Sequence, residues 1–231
     1  MSENANRPNV LRWAIVVMGV LIVGLALASA RLRGGGRAGS ELPVYGEVPA
    51  FALTESSGRT LSRDDLLGKP WIADFIFTRC SGTCPVMTSS MSGLHEAFAE
   101  ARDVNELRFV SFTVDPEWDT PEVLRSYAEG IAADPERWLF LTGDRAAIYA
   151  LSQQGFHLGA GDDVATSEIM HSTRFVLVDR AGRIRGYYDG MEPEAVAQLA
   201  KDARVIARER TAAPPPSSPS PDETRTPDKT S

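Results

Sequence analysis

The sequence predicts an α/β fold, a central mixed sheet flanked by helices. Three observations point to it. Short apolar runs alternate with helix-period patterns along the middle of the chain. A hairpin signal, Asp179-Arg180-Ala181-Gly182, then joins two strand-like segments near the end. Finally, the only two cysteines, Cys80 and Cys84, fall where an apolar run gives way to a helical pattern. Alternating strand and helix imply right-handed crossovers and a parallel core, to which the hairpin adds antiparallel strands.

Each element has its own signal. Phe51 and Leu53 mark a short strand, and Ser56-Ser57-Gly58-Arg59 a turn. Leu61 to Gly68 reads as one helical turn ended by glycine. Trp71 to Phe77 is an apolar strand interrupted by Asp74, which alternation places on the face of Ile72 and Ile76. Met87, Met91, Leu94 and Phe98 recur at steps of four, three and four, predicting a core-facing helix from Pro85 to about Arg102. His95 lies off that stripe and is expected at the surface. Leu107 to Val114 is the next strand, ending at Asp115-Pro116-Glu117-Trp118-Asp119-Thr120-Pro121. Thr120 and Pro121 start a helix that closes at Gly130. Trp138 to Thr142 is a strand, and Asp144 to Gln154 a helix ended by Gly155. A polar segment, 156–170, carries Asp162, Asp163 and Glu168 and leads to His171. Ser172 to Val178 and Arg183 to Tyr188 pair across the hairpin, and Glu194 to Arg208 is an amphipathic helix. With a thiol pair between strand and helix, this is the layout of a thioredoxin-like fold.

The ends differ from the middle. Residues 1–12 are polar. Residues 13–30 carry no charge and can span a bilayer or serve as a signal peptide. Ala28-Ser29-Ala30 has the form of a cleavage site, but Arg31, Arg33 and Arg37 follow at once and blur both cleavage and orientation. Residues 31–46, with Gly34-Gly35-Gly36, form a flexible linker. The folded domain is expected over 47–209. Residues 210–231 are rich in Pro, Ser and Thr and are expected to be a disordered tail. The 231-residue chain is 43% hydrophobic, enough for a real core, and its net charge of −7 argues against a nucleic-acid partner. Two cysteines are too few for a disulfide scaffold.

Cys80 and Cys84 form a C-x-x-x-C pair. Residues four apart share a helix face, and a thiol near a helix N-terminus sits in positive potential that favours the thiolate. Ser81 or Thr83 can cap that helix, with Pro85 in its first turn. Such a pair can bind one soft metal ion, act as a redox couple or form a structural disulfide. Asp74, a carboxylate in the strand before the thiols, can accept a proton. Asp115 stands at the carboxyl end of a strand, where α/β sheets present ligand-binding groups. Both are auxiliary candidates, and each has a purely structural alternative. Met87 and Met91 carry soft sulfur, but at helical spacing among Leu94 and Phe98 they are expected to fill the core.

Three segments in order, FIFTRCSGTCPVM, TVDPEWDTPEVLRSYA and MHSTRFVLVDRAGRIRGYYDG, resemble the SCO/SenC family, the copper-handling assembly factors of cytochrome c oxidase. The resemblance covers about Val48 to Arg208. It implies copper, as Cu(I), Cu(II) or both, on Cys80, Cys84 and His171. Asp115 would be the aspartate of the family's D-P-x-x-D-T-P segment. Ser81 stands where many members have proline. Two thiolates and one imidazole suit Cu(I), and an open, low-coordinate set permits hand-over in a way a closed four-ligand site does not.

The resemblance implies a membrane-tethered metallochaperone. It would deliver copper to the dinuclear copper centre of cytochrome c oxidase, with subunit II or another copper-accepting protein as acceptor and a donor protein upstream. The domain is expected on the extracytoplasmic, periplasmic side, free there if the leader is cut. The alternative is a thiol–disulfide oxidoreductase that uses Cys80 and Cys84 to reduce the oxidase's cysteines. A peroxidase would need an arginine aimed at a cysteine sulfur, and Arg79 is adjacent to Cys80 only in sequence.

Overall fold

A computed structural model describes residue 18, residues 42–158 and residues 172–209. The expected membrane segment apart from residue 18, most of the linker, the tail at 210–231 and His171 lie outside the described residues. Among the described residues no helix is long and apolar enough to cross a membrane.

Eight strands run in chain order: β1 (Gly46–Glu47), β2 (Ala52–Glu55), β3 (Thr60–Ser62), β4 (Trp71–Ile76), β5 (Arg108–Thr113), β6 (Trp138–Thr142), β7 (Arg174–Val178) and β8 (Arg183–Asp189). The helices are α1 (Cys84–Ala99), α2 (Pro121–Gly130), α3 (Arg145–Ala150) and α4 (Pro193–Arg208). The strands form one sheet in the order β1-β8-β7-β4-β5-β6-β2-β3. β4, β5 and β6 are mutually parallel, and the β7–β8 hairpin joins β4 antiparallel, so the mixed sheet is as expected.

β4 is the middle of this sheet because every one of its residues is buried. Trp71, Ala73 and Phe75 face one layer, with Phe112, Val176, Ile148 and Phe156. Ile72 and Ile76 face the other, against Met87, Met91 and Phe98 of α1, Leu124 of α2 and Leu199, Ala203 and Ile206 of α4. A strand covered on both faces reads as a continuous apolar run. Asp74 interrupts it on the α1 side, as alternation requires, and is 1% exposed. The two methionines are core filler, 1% and 0% exposed.

Several local readings are corrected. Leu61 is not helical. It pairs with Leu53 in the β2–β3 hairpin, and only Arg63–Leu66 make a 3₁₀ turn, started where Asp65 accepts from the Ser62 N–H at 2.7 Å. α1 stops at Ala99, short of Arg102. The predicted helix after Asp144 splits into α3 and a π turn, Leu151–Gly155. His95 is buried, not at the surface: its ring packs edge-on to Phe109 and tilted over Trp138. The strands under α1 reach past its apolar stripe and cover the next position round.

Leu42 to Gly46, within the expected linker, is docked on the domain. The Tyr45 N–H donates to the Ile184 carbonyl at 2.9 Å. The buried Arg185 guanidinium donates to the Leu42 carbonyl at 2.7 Å, to Asp179 at 2.9 Å and to Glu209 at 2.7 Å. One cation thus ties the domain's entry to its exit. Asp179 follows Val178, which pairs with Trp71 at the start of β4. This tie therefore lies at the end of the sheet opposite the cysteines, which follow the end of β4.

Candidate metal centre

β4 delivers the chain to a turn at 77–83, and α1 begins at Cys84. The Cys80 N–H donates to the Phe77 carbonyl at 3.2 Å, which closes the turn. The Thr83 carbonyl accepts from both Val86 and Met87. Thr83 occupies the N-cap but its side chain makes no capping bond, and Pro85 sits in the first turn, where its missing N–H costs nothing. Both thiols are free, Cys80 half-buried and Cys84 buried.

The two sulfurs are electrostatically unequal. Burial pushes the Cys80 thiol up. A hydrogen bond from the Cys84 thiol, with backbone N–H groups at Cys84, Gly82 and Thr83, outweighs that and brings it below its ordinary value. Burial pushes Cys84 up, to about 12, helped by its donation to Cys80 and by the nearby charges of Cys80 and Asp74. The pair loses its first proton from Cys80. The Cys84 thiol's donation, with the helix-start N–H groups beside it, is the physical reason.

Asp74 lies near Cys84 on the α1 side of β4. Burial drives its carboxyl up to about 7, against the lowering pull of the Ser111 hydroxyl opposite it on β5. That hydroxyl already accepts from Trp138 Nε1 at 2.9 Å. Neither Asp74 oxygen has a well-formed hydrogen bond among the described residues. A neutral buried acid beside a thiol pair can hold or release a proton near neutral pH.

The loop leaving β5 braces the turn. Asp115 accepts from Arg79 at 2.6 Å, and the Arg79 guanidinium lies 4.4 Å over the Trp118 ring. Asp115 is thus held in an ion pair with the residue before Cys80. Arg79 is committed to Asp115 and Trp118, which leaves the peroxidase reading without support. Asp119, 0% exposed, accepts from the Thr78 N–H at 3.1 Å, from the Thr78 hydroxyl at 2.5 Å and from the Thr113 hydroxyl at 2.5 Å. Sequence reasoning named Asp115 and passed over Asp119. The available signal was a second acid four residues on, in the same Pro-flanked loop.

A cavity of about 400 Å³ opens beside the thiols, walled by Cys80, Cys84, Thr88, Ser92, Tyr127 and Ile131. Thr88 and Tyr127 share a hydrogen bond of 2.8 Å across it. A larger hollow of about 720 Å³ lies by Tyr45, His157 and Tyr187. It is bordered by Leu158 and Ser172, the residues that flank 159–171, and holds no thiol. Among the described residues no group of three or more His, Cys, Asp or Glu side chains is arranged to hold a metal ion. His171, the third expected ligand, lies outside the described residues.

The SCO1/SenC family model matches residues 43–207. The SCO1 protein homolog of Bacillus subtilis is 32% identical over 164 residues, spanning 70% of this chain and 83% of that protein. The solved structure of BsSco, a member of the Sco family of cytochrome c oxidase assembly proteins in which a disulfide switch was identified, superposes with a TM-score of 0.63. It is 28% identical, over 72% of this chain and 96% of that one. ScoI of Bradyrhizobium japonicum with copper bound superposes with a TM-score of 0.53 at 26% identity, over 67% of this chain and 98% of that one. The fold, the thiol turn and the match over residues 43–207 together show that this chain belongs to the SCO1/SenC family.

Proposed function

We propose that this protein is a copper carrier that binds the metal through Cys80, Cys84 and His171 and delivers it to the dinuclear copper centre of cytochrome c oxidase. The observation that carries the reading is the pair of free thiols at the strand–helix turn, one of them half-exposed beside an open cavity. Two thiolates and an imidazole form a soft, low-coordinate set suited to Cu(I), with a position left for an incoming ligand. The register of β7 supports His171 as third ligand. β7 runs antiparallel to β4, with Val178 opposite Trp71 and Val176 opposite Ala73, so the chain enters β7 from the end of the sheet at which β4 leads into the thiol turn. Ser172 and Thr173 precede the strand at that end, and His171 precedes them in the sequence. Copper-bound ScoI of Bradyrhizobium japonicum supports copper as the cargo, and the family of BsSco supports an oxidase acceptor.

A membrane helix within 13–30 would hold the domain on the extracytoplasmic side. To test the ligand set, purified protein is titrated with Cu(I) beside His171→Ala. One copper per chain with weaker binding in the variant is expected. Equal stoichiometry and affinity would count against a three-ligand site.

The unequal thiols favour a second reading, a thiol–disulfide oxidoreductase. Cys80 thiolate attacks one sulfur of the oxidase's disulfide, forming a mixed disulfide and releasing the other sulfur as a thiolate that takes up a proton. Cys84 then loses its proton and displaces the second sulfur. Two electrons pass to the target, and the Cys80–Cys84 disulfide remains. Failure of the reduced protein to reduce an oxidised subunit II copper domain would end this reading.

A further inference from the structure

Thr78 and Arg79, the two residues ahead of Cys80, are both fastened to the loop that leaves β5. The fastening to Asp119 is the more confined. Its carboxylate is fully buried; Oδ1 takes the Thr78 hydroxyl, and Oδ2 takes both the Thr78 N–H and the Thr113 hydroxyl of β5. Thr113 is 0% exposed, and its hydroxyl also accepts from the Asp115 N–H at 3.0 Å. Hydrogen bonds to an ionised carboxylate are about twice as strong as neutral ones. The centre of the sheet therefore grips the backbone two residues before the half-buried Cys80.

A disulfide needs Cα atoms within about 4.4–6.8 Å and a narrow dihedral range. Cys84 is poorly placed to supply the movement. It opens α1, whose Met87 and Met91 are locked in the core. Any adjustment falls on Cys80 and pulls on Thr78. The grip is seen with both cysteines free.

We propose that Asp119 is a positioning residue for the thiol pair: through Thr78 it holds Cys80 in the dithiol arrangement and so sets how readily Cys80 and Cys84 oxidise. The proposal rests on the reading above in that the reduced pair is the form that accepts copper.

The test equilibrates the full-length protein with dithiothreitol redox buffers. Two thiols give two electrons and two protons to the reagent's disulfide, yielding the Cys80–Cys84 disulfide and the reagent's dithiol. Thr78→Val and Asp119→Asn are each expected to shift this equilibrium about tenfold towards the disulfide, roughly 30 mV more negative. Arg185→Met, which loosens the opposite end of the sheet, is the control for general destabilisation and is expected to leave the potential within twofold of wild type. If Asp119→Asn does not fold, Thr78→Val decides, since it removes one hydroxyl at nearly constant volume. A folded Thr78→Val within twofold of wild type, or a shift no larger than that of Arg185→Met, overturns the proposal. Cu(I) titration of the same samples separates the two claims. A wild type that takes up no copper while the Thr78→Val shift persists refutes the carrier reading and leaves the positioning role standing.

Discussion

The Cys84 thiol donates to Cys80, so the two sulfurs of one C-x-x-x-C pair ionise at different pH. The half-exposed cysteine is therefore also the one that ionises first. Alkylation with iodoacetamide at pH 7.5, followed by peptide mass spectrometry, is expected to label Cys80 at least about tenfold faster than Cys84. Comparable rates at both would contradict the assignment.

Asp74 makes stability depend on pH in the direction opposite to most carboxylates. Its folded pKa, about 7, is above the ordinary 3.8, so between those values the folded state binds more protons than the unfolded one. Stability falls as pH rises through that window and levels off above it. Asp74→Asn removes the dependence. Urea unfolding from pH 4 to pH 8 should show the variant gaining on wild type by ~2–4 kcal/mol across the range. A constant gap would mean that Asp74 is ionised in the folded protein throughout.

His95 acts at the acid side. Burial, reinforced by the charge of Arg137, lowers its pKa below the ordinary 6.5. Above that value its neutral ring packs between Phe109 and Trp138, with Nε2 lacking a hydrogen-bond partner among the described residues. Its contribution is lost as pH falls below 6.5, where the unfolded chain takes up the proton first. His95→Phe keeps the contacts with Phe109 and Trp138. Thermal melts at pH 7 and pH 5 are expected to show a smaller acid-induced drop in this variant than in wild type.

Arg185 is a stability residue remote from the thiols. It is 3% exposed and pairs with Asp179 and Glu209 while holding the Leu42 carbonyl. Arg185→Met leaves those partners partly unpaired and is expected to cost about 3 kcal/mol in urea unfolding. Copper stoichiometry should not change.

Much of this was legible in the sequence because its causes are local. The apolar run Trp71–Phe77 announced a strand, which the structure shows covered on both faces. Met87, Met91, Leu94 and Phe98 marked the inner face of α1, and Thr120-Pro121 the start of α2, where Thr120 caps Val123. The Asp179–Gly182 turn fixed the hairpin. What escaped depends on distant partners. Asp119 is told from its neighbour Asp115 only by reaching Thr78, 41 residues away. The strand at Leu61 exists because Leu53 lies across from it. His95 is buried by Phe109 and Trp138, which no helical wheel includes. The thiols themselves were plain, but their inequality arises from three-dimensional detail at the turn, where Cys84 is the more deeply buried and donates to Cys80, on which three backbone N–H groups also converge.

X-ray absorption at the copper edge of the protein loaded with one equivalent of Cu(I) reads the atoms around the metal. Two sulfur scatterers and one nitrogen, with the nitrogen lost in His171→Ala, are the expected result. A shell of sulfur alone in the wild type, unchanged by that substitution, would contradict a centre made by Cys80, Cys84 and His171.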